Sequence, residues 1–217
     1  MSVTAVGFDL DGTLVVTERD RQTLLDEATA TAGVRDIDRA EYLAAHSADV
    51  ATETRTPIFA RILEEGDPEA VARAYREAVE GALVPVPGAP GLVRELREEH
   101  GYSVGLLTDG PRRAQLGKLD ALGWRDLFDA VAVTGTLPAG KPDRRAFEAL
   151  TDRLGVTAAG TVYVGDNPVA DVQGAARAGL TAVQVRADDG DSDPAADATV
   201  PLDGFADGIR DVLTRTA

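Results

Sequence analysis

Asp9 and Asp11 stand one residue apart at the end of a short run of strand formers, in the segment Phe8-Asp9-Leu10-Asp11-Gly12-Thr13-Leu14. Side chains at i and i+2 of an extended chain project to one side, so both carboxylates emerge together from the carboxyl end of a strand over residues 3–8. Open α/β sheets place their ligands at that edge. Gly12 then frees the backbone for a sharp turn. Two adjacent carboxylates are costly unless a cation neutralises them or one keeps its proton. The first outcome holds a metal; the second sets a general acid beside a nucleophile.

Three further groups fall at predicted strand ends or in the loops beside them. A strand over 103–107 runs into Thr108-Asp109-Gly110, a hydroxyl followed by turn amides, which suits an anionic oxygen. Lys141-Pro142 opens a helix, and Lys141 is one of only two lysines, with Lys118, among 22 basic residues. A compact ammonium suits phosphate as a point charge. Val162-Tyr163-Val164 leads into Gly165-Asp166-Asn167-Pro168-Val169-Ala170-Asp171, which brings two more carboxylates to a strand end. Each has an ordinary role when taken singly: a strand-end threonine satisfies backbone groups, and Asp166 can cap a helix. Hydroxyl, amine and carboxylates converging on one sheet edge read as an active site.

The elements that must position these groups alternate. Helices are expected over 92–100, 112–122, 144–154 and 169–178, and strands over 103–107, 130–133, 161–164 and 182–185, with Gly101, Gly123, Gly155 and Gly179 ending the helices. A short strand near Thr199 and a helix over 204–214 close the chain. This is the pattern of an α/β protein with a parallel, Rossmann-like sheet in a three-layer α/β/α core. Between Leu14 and Pro85 the texture is helical throughout, over 17–32, 38–51, 57–65 and 68–79, with no strand candidate. That stretch reads as an all-helical cap inserted in the core, with residues 1–15 and 86–217 forming the core domain and 16–85 the cap. Pro85, Pro87, Gly88, Pro90 and Gly91 make the hinge between them. The acidic run 188–193 lacks the ligand spacing of a calcium loop and is expected to be solvated.

Totals bound the chemistry. A chain of 217 residues with 44% hydrophobic and 27% charged residues is a globular protein large enough for a real core. Cysteine is absent and only His46 and His100 offer imidazole, so any metal should be a hard, oxygen-bound cation. With no signal-like start and no long apolar run, a cytoplasmic location is expected and a membrane partner is not. The net charge of −15, with lysine nearly absent, points to a salt-rich, halophilic cytoplasm and away from nucleic acid.

Together these residues resemble the haloacid dehalogenase-like hydrolase superfamily over nearly the whole chain: Asp9-Leu10-Asp11-Gly12-Thr13, then Thr108, then Lys141, then Gly165-Asp166 with Asp171. The insertion is similar to the helical cap of one subfamily. The stretch from Leu106-Leu107-Thr108-Asp109-Gly110 through Gln115, Lys118-Leu119 and Leu122-Gly123 is similar to a branch of phosphatases. Asp109 departs from the asparagine of many relatives. The resemblance implies a phosphoric monoester hydrolase using Mg2+ and acting on a small phosphorylated metabolite. Asp9 would be the nucleophile and Asp11 the general acid/base. Thr108, the Asp109 amide and Lys141 would bind phosphate. The metal would sit among Asp9, the Asp11 backbone carbonyl, Asp166 and Asp171. The ion should keep Asp9 ionised while neighbouring negative charge favours a proton on Asp11. Asp11 itself favours ester hydrolysis over dehalogenation. Two other readings are a phosphosugar mutase and a catalytically idle binding module. Arg55 is the cap residue placed to meet an anionic part of the substrate, with Arg19 and Arg21 as further candidates. His46 and His100 are expected to be solvent-facing or locally satisfied, and Trp124 to anchor helix packing. Oligomeric state is not readable from the chain.

Overall fold

The computed structural model describes residues 2–47, 53–187 and 191–216. In chain order, β1 (Ala5–Phe8) and β2 (Val15–Thr17) precede α1 (Arg21–Ala32), α2 (Arg39–Ser47), α3 (Thr56–Ile62) and α4 (Pro68–Glu80), and β3 (Leu83–Pro85) follows. Alternation then begins with α5 (Ala89–Glu98), β4 (Ser103–Thr108), α6 (Arg112–Leu122), β5 (Ala130–Val133) and α7 (Arg144–Leu154). It ends with β6 (Thr161–Gly165), α8 (Gly174–Ala178), β7 (Thr181–Arg186), β8 (Ala198–Pro201) and α9 (Phe205–Thr216).

Among the described residues one sheet has the order β5-β4-β1-β6-β7-β8, parallel throughout. The register pairs Phe8 with Leu106 on one side and with Val164 on the other. Asp9, Thr108 and Asp166 therefore leave the sheet at the same edge, within about one residue of each other along the strand axis.

Side chains alternate between two apolar layers. Phe8, Leu106, Val162 and Val164 pack with α5 and α9 on one face, where Trp124 is also buried, as expected. Leu107, Tyr163 and Ala182 pack with α7 and α8 on the other. At Gly7 a Cβ would come within 2.7 Å of Leu150, so glycine lets α7 lie close against the central strand.

The segment between β2 and β3 carries its own apolar cluster, built from Leu24, Leu25 and Ala28 of α1, Ile58 and Phe59 of α3, and Val71, Tyr75 and Val79 of α4. Aspartates start two of these helices: Asp20 accepts from the Gln22 and Thr23 amides, and Asp67 from those of Glu69 and Ala70. The expectation of no strand here fails at both ends. β2 and β3 form an antiparallel ribbon, Val15 opposite Pro85 and Thr17 opposite Leu83, where the chain leaves and re-enters the α/β core. A helix expected over 169–178 instead begins as a wide π-type turn, Pro168–Gln173, before α8. Residues 48–51 of the expected second cap helix, and 188–190 of the acidic run, lie outside the described residues. At the end of that run Asp193 accepts from Gln173 Nε2 at 2.8 Å. No helix among the described residues is long and apolar enough to cross a membrane.

Candidate active site

Asp9 follows β1 directly, its amide donating to the Val164 carbonyl at 2.9 Å, and its side chain is buried. Lys141 reaches it from the loop before α7: the ammonium donates to Asp9 Oδ1 at 2.7 Å, to Asp171 Oδ1 at 2.6 Å and to the Tyr163 hydroxyl at 3.2 Å. Only 3% of the Lys141 side chain is exposed. Burial opposes its charge, but Asp171 and Asp9 outweigh that and hold its pKa above the ordinary lysine value. Tyr163 donates to the Leu107 carbonyl at 3.0 Å, which fixes it beneath the ammonium. Asp171 is held in turn by the Asn167 amide, which donates to Oδ2 at 2.9 Å.

Asp166 completes a carboxylate triad with Asp9 and Asp171, whose oxygens lie within 4.8 Å of one another. Thr13 orients it from the first loop, its hydroxyl 3.4 Å from Asp166 Oδ1. Three carboxylates thus face one ammonium, and the negative charge in excess appears as upward shifts. Burial pushes Asp9 up, with Asp171 and Asp166 adding to it against Lys141. Asp166 rises to about 6, through burial and then the charge of Asp171. Such a set of hard oxygen donors, short of positive charge, suits a hard divalent cation.

Asp11 sits in the opposite environment. Its Oδ1 accepts from Arg21 Nη2 at 2.8 Å, and its Oδ2 accepts from the Lys118 ammonium. Burial opposes ionisation here too, yet Lys118 and Arg21 outweigh it and hold the carboxyl well below the usual range. The expectation that neighbouring negative charge favours a proton on Asp11 is therefore overturned. The carboxylates cluster around Asp9, while Asp11 points among cations. Lys118 is 2% exposed and also donates to Gln115 Oε1 at 3.0 Å. Burial, with Arg21 and Arg55 nearby, lowers its pKa to about 8 in spite of Asp11.

Thr108 is buried at the end of β4 and lines the same recess as Asp9, Lys141 and Asp166. Asp109 uses its carboxylate internally: Oδ1 accepts from the Lys141 amide at 3.1 Å, and its carbonyl accepts from Gln115 Nε2 at 2.6 Å. The acid that stands in place of asparagine thus clasps the Lys141 loop.

A larger cleft of about 460 Å³ opens above Asp11, lined from the helical segment by Arg21, Arg39, Tyr42, His46, Arg55 and Tyr75. Arg55 immediately precedes α3, is 8% exposed and donates from Nε to the Tyr42 hydroxyl at 3.0 Å. The structure thus brings Asp9, Asp11, Thr108, Asp109, Lys141, Asp166 and Asp171 together in one recess, with Arg55 in the cleft adjoining it. Arg19 turns away to Glu27 at 2.6 Å. His46 is partly buried in the cleft, and His100 is exposed with Nε2 3.5 Å from Glu95. Lys118 joins the site without any role that its local sequence announces, and its one signal there is that this arginine-rich chain keeps lysine at only two positions.

A profile of the haloacid dehalogenase-like hydrolases matches residues 3–179. The chain belongs to that family. Within it, glyceraldehyde 3-phosphate phosphatase of Methanopyrus kandleri is 33% identical over 132 residues, which cover 59% of this chain and 56% of that protein. This member of the family thus matches little more than half the length of that relative. Phosphoglycolate phosphatase of Cereibacter sphaeroides is 33% identical over 181 residues, 81% of each chain. The crystal structure of a HAD phosphatase from Thermococcus onnurineus superposes with a TM-score of 0.72 at 27% identity, covering 97% of this chain and 98% of that one. The family and the α/β core expected from the motifs are therefore both established.

Proposed function

We propose that this family member is a Mg2+-dependent phosphatase, a phosphoric monoester hydrolase that acts on a small phosphorylated metabolite through an aspartyl-phosphate on Asp9. The observation that carries this reading is the meeting of Lys141 with both Asp9 and Asp171, residues 132 and 30 positions away, at the carboxyl edge of the sheet. Phosphatase names among the relatives agree with it.

Asp9 attacks phosphorus, and the bond from its carboxylate oxygen forms as the bond to the leaving alcohol breaks. Asp11 first takes up a proton from solvent as its cationic partners yield to the bound substrate, and then passes that proton to the alcohol oxygen as the bond to phosphorus breaks. Asp11 then accepts a proton from the water that attacks phosphorus, and the bond to Asp9 breaks to release phosphate. Lys141, the Thr108 hydroxyl and the Asp109 amide hold the phosphoryl oxygens. Asp9, Asp166 and Asp171, with the Asp11 backbone carbonyl, would hold Mg2+, which when bound offsets the negative charge of the triad and of the phosphoryl group. The helical segment 16–85 acts as a cap over a core formed by 1–15 and 86–217, and its closure excludes bulk water. Its separate apolar cluster and the two-stranded ribbon at its base support that division.

The test is a panel of phosphate esters assayed for free phosphate with Mg2+ in high salt, using the wild type and Asp9→Asn. Release by the wild type and its loss in Asp9→Asn is expected, with a mass gain of one phosphoryl group on wild-type protein quenched in turnover. Turnover by Asp9→Asn would overturn the nucleophile. An isomeric phosphosugar in place of free phosphate would make the protein a mutase.

A further inference from the structure

Two long polar side chains lie on the buried face of α6, where a helix packed against a core ordinarily carries apolar groups. Gln115 and Lys118 are both buried, and at a spacing of three they stand side by side. Burying such groups is unfavourable unless their polar atoms find partners. Here they do. Gln115 Nε2 donates to the Asp109 carbonyl at 2.6 Å, and its Oε1 accepts from the Lys118 ammonium at 3.0 Å. That ammonium also donates to Asp11 Oδ2.

The two contacts fix the residue type between them. A backbone carbonyl only accepts and an ammonium only donates, so the group that joins them must donate at one end and accept at the other. A carboxamide does this without adding charge. Glutamate would set oxygen against oxygen at Asp109, and methionine would satisfy neither partner. The backbone is shaped to admit the contact: φ at Gly110 is +124°, and a Cβ there would lie 2.8 Å from Gln115 Nε2. On its other side the same peptide is held by the buried Thr134 hydroxyl, which accepts from the Gly110 amide at 3.1 Å. Side chains from α6 and from the residue after β5 thus clamp the peptide that follows Asp109. Neither takes part in phosphoryl transfer itself.

We propose that Gln115 is a positioning residue for the general acid: it holds Lys118 to the phosphate-binding loop, so that the ammonium stays with α6 when Asp11 turns to the leaving alcohol. This rests on the phosphatase reading. Asp11 and Gln115 share the Lys118 ammonium. When substrate draws Asp11 away, Gln115 keeps an acceptor on the ammonium and eases the separation. Without Gln115 the ammonium leans on the Asp11 carboxylate, and the pair resists opening. The bridge also sets the distance between Asp11 and the Asp109 amide, which the ester must span with its leaving oxygen at one end and its phosphoryl group at the other.

The test measures kcat/KM, which reads the phosphorylating step, for an alkyl phosphate and for nitrophenyl phosphate in the wild type, Gln115→Met, Lys118→Met and the double variant. The ratio of alkyl to nitrophenyl ester should fall about tenfold in Gln115→Met, because only the alkoxide needs its proton. Damage to the loop alone would lower both esters together and leave the ratio in place. That result, or activity equal to the wild type, would overturn the proposal. In the double variant the ratio should match that of Lys118→Met, since Gln115 acts through the ammonium; a further fall would overturn it. Gln115→Asn, polar but one methylene short of its partners, should repeat the fall, and thermal melts check that each variant folds. Nitrogen-15 NMR of protein labelled at lysine Nζ reads the bridge without turnover, because two lysines give two signals and Lys118→Met assigns them. Gln115→Met should shift the Lys118 signal more than that of Lys141, and an unmoved Lys118 signal would overturn the bridge. If the wild type hydrolyses neither ester, the phosphatase reading falls and the role in proton delivery with it, while the Lys118 signal still decides whether the bridge exists.

Discussion

The ammonium of Lys118 is hydrogen-bonded to the carboxylate of Asp11, joining α6 to the loop after β1 across 107 residues of sequence. The contact binds together two groups that neither strand nor helix periodicity would associate. It also biases the resting state of the site, because Lys118 and Arg21 favour the ionised form of Asp11. Lys118→Met removes the larger of these two charge contributions, so the Asp11 carboxyl should titrate at higher pH than in the wild type. Carbon-13 NMR of the aspartate carboxyls reads this directly. Lys118→Arg restores a cation and should return the midpoint toward its wild-type position. An Asp11 midpoint unmoved in Lys118→Met would show that the pair is not coupled in solution.

Asp11→Asn should separate substrates by leaving group. An alkyl alkoxide needs a proton as it departs, and general acid catalysis is worth roughly 10²–10⁴-fold. Nitrophenolate departs unprotonated. Turnover of an alkyl phosphate should therefore fall by about that factor, while the first step with nitrophenyl phosphate survives and appears as a burst of nitrophenol followed by slow release from Asp9. Equal losses on both substrates would remove Asp11 from the proton transfer.

How much of this was legible in the sequence depends on range. Helices Arg112–Leu122 and Arg144–Leu154 and strand Ala130–Val133 fall where the apolar pattern and the terminating glycines put them, since Gly123 and Gly155 take the left-handed conformation that ends a helix. The parallel register followed from that alternation and brought Asp9, Thr108 and Asp166 to one edge. Contacts made by tertiary packing were not legible. β2 and β3 are three residues each, too short for any periodicity. Nothing local says that Tyr42 and Tyr75, 33 positions apart, stack together around Arg55 and Arg39. The protonation preference of Asp11 is not legible for the same reason: the nearest charge in sequence is Asp9, while the nearest in space are Lys118 and Arg21.

Divalent cation should stabilise the fold as well as serve turnover. A ligand bound only by the native state adds about 2.7 kcal/mol at one hundred times its dissociation constant. Mg2+ should raise the melting temperature of the wild type, and exhaustive chelation should abolish phosphate release. Asp166→Asn should weaken both effects. Gly12→Ala should weaken them too, because φ at Gly12 is +84° and an added Cβ would overlap the Asp166 carboxylate. A melting temperature indifferent to Mg2+ would argue against the triad as its site.

Salt should raise stability across the molar range. The net charge of −15 imposes self-repulsion that a Debye length of about 3 Å at 1 M removes. The melting temperature is expected to climb from about 0.1 M to 2 M KCl, further than screening of local pairs accounts for, since exposed pairs such as Arg35–Glu41 weaken over the same range. The chain nearly dispenses with lysine, and both lysines it keeps are buried in the site. Stability unchanged by salt would separate the acidic surface from any halophilic role.

His46 offers a pH probe of the cleft. Burial lowers its pKa below the ordinary 6.5, and Arg55 and then Arg39 lower it further. A base whose folded pKa is depressed binds more protons unfolded than folded in the interval between the two values, so stability rises with pH there. The contribution of His46 is therefore complete above 6.5 and is lost as pH falls through the folded midpoint. Proton NMR of the imidazole should show a midpoint below 6.5 in the wild type. In Arg55→Met that midpoint should move up, because the second-largest cause of its depression is gone. A midpoint at 6.5 that does not respond to this substitution would place His46 outside the field of Arg55.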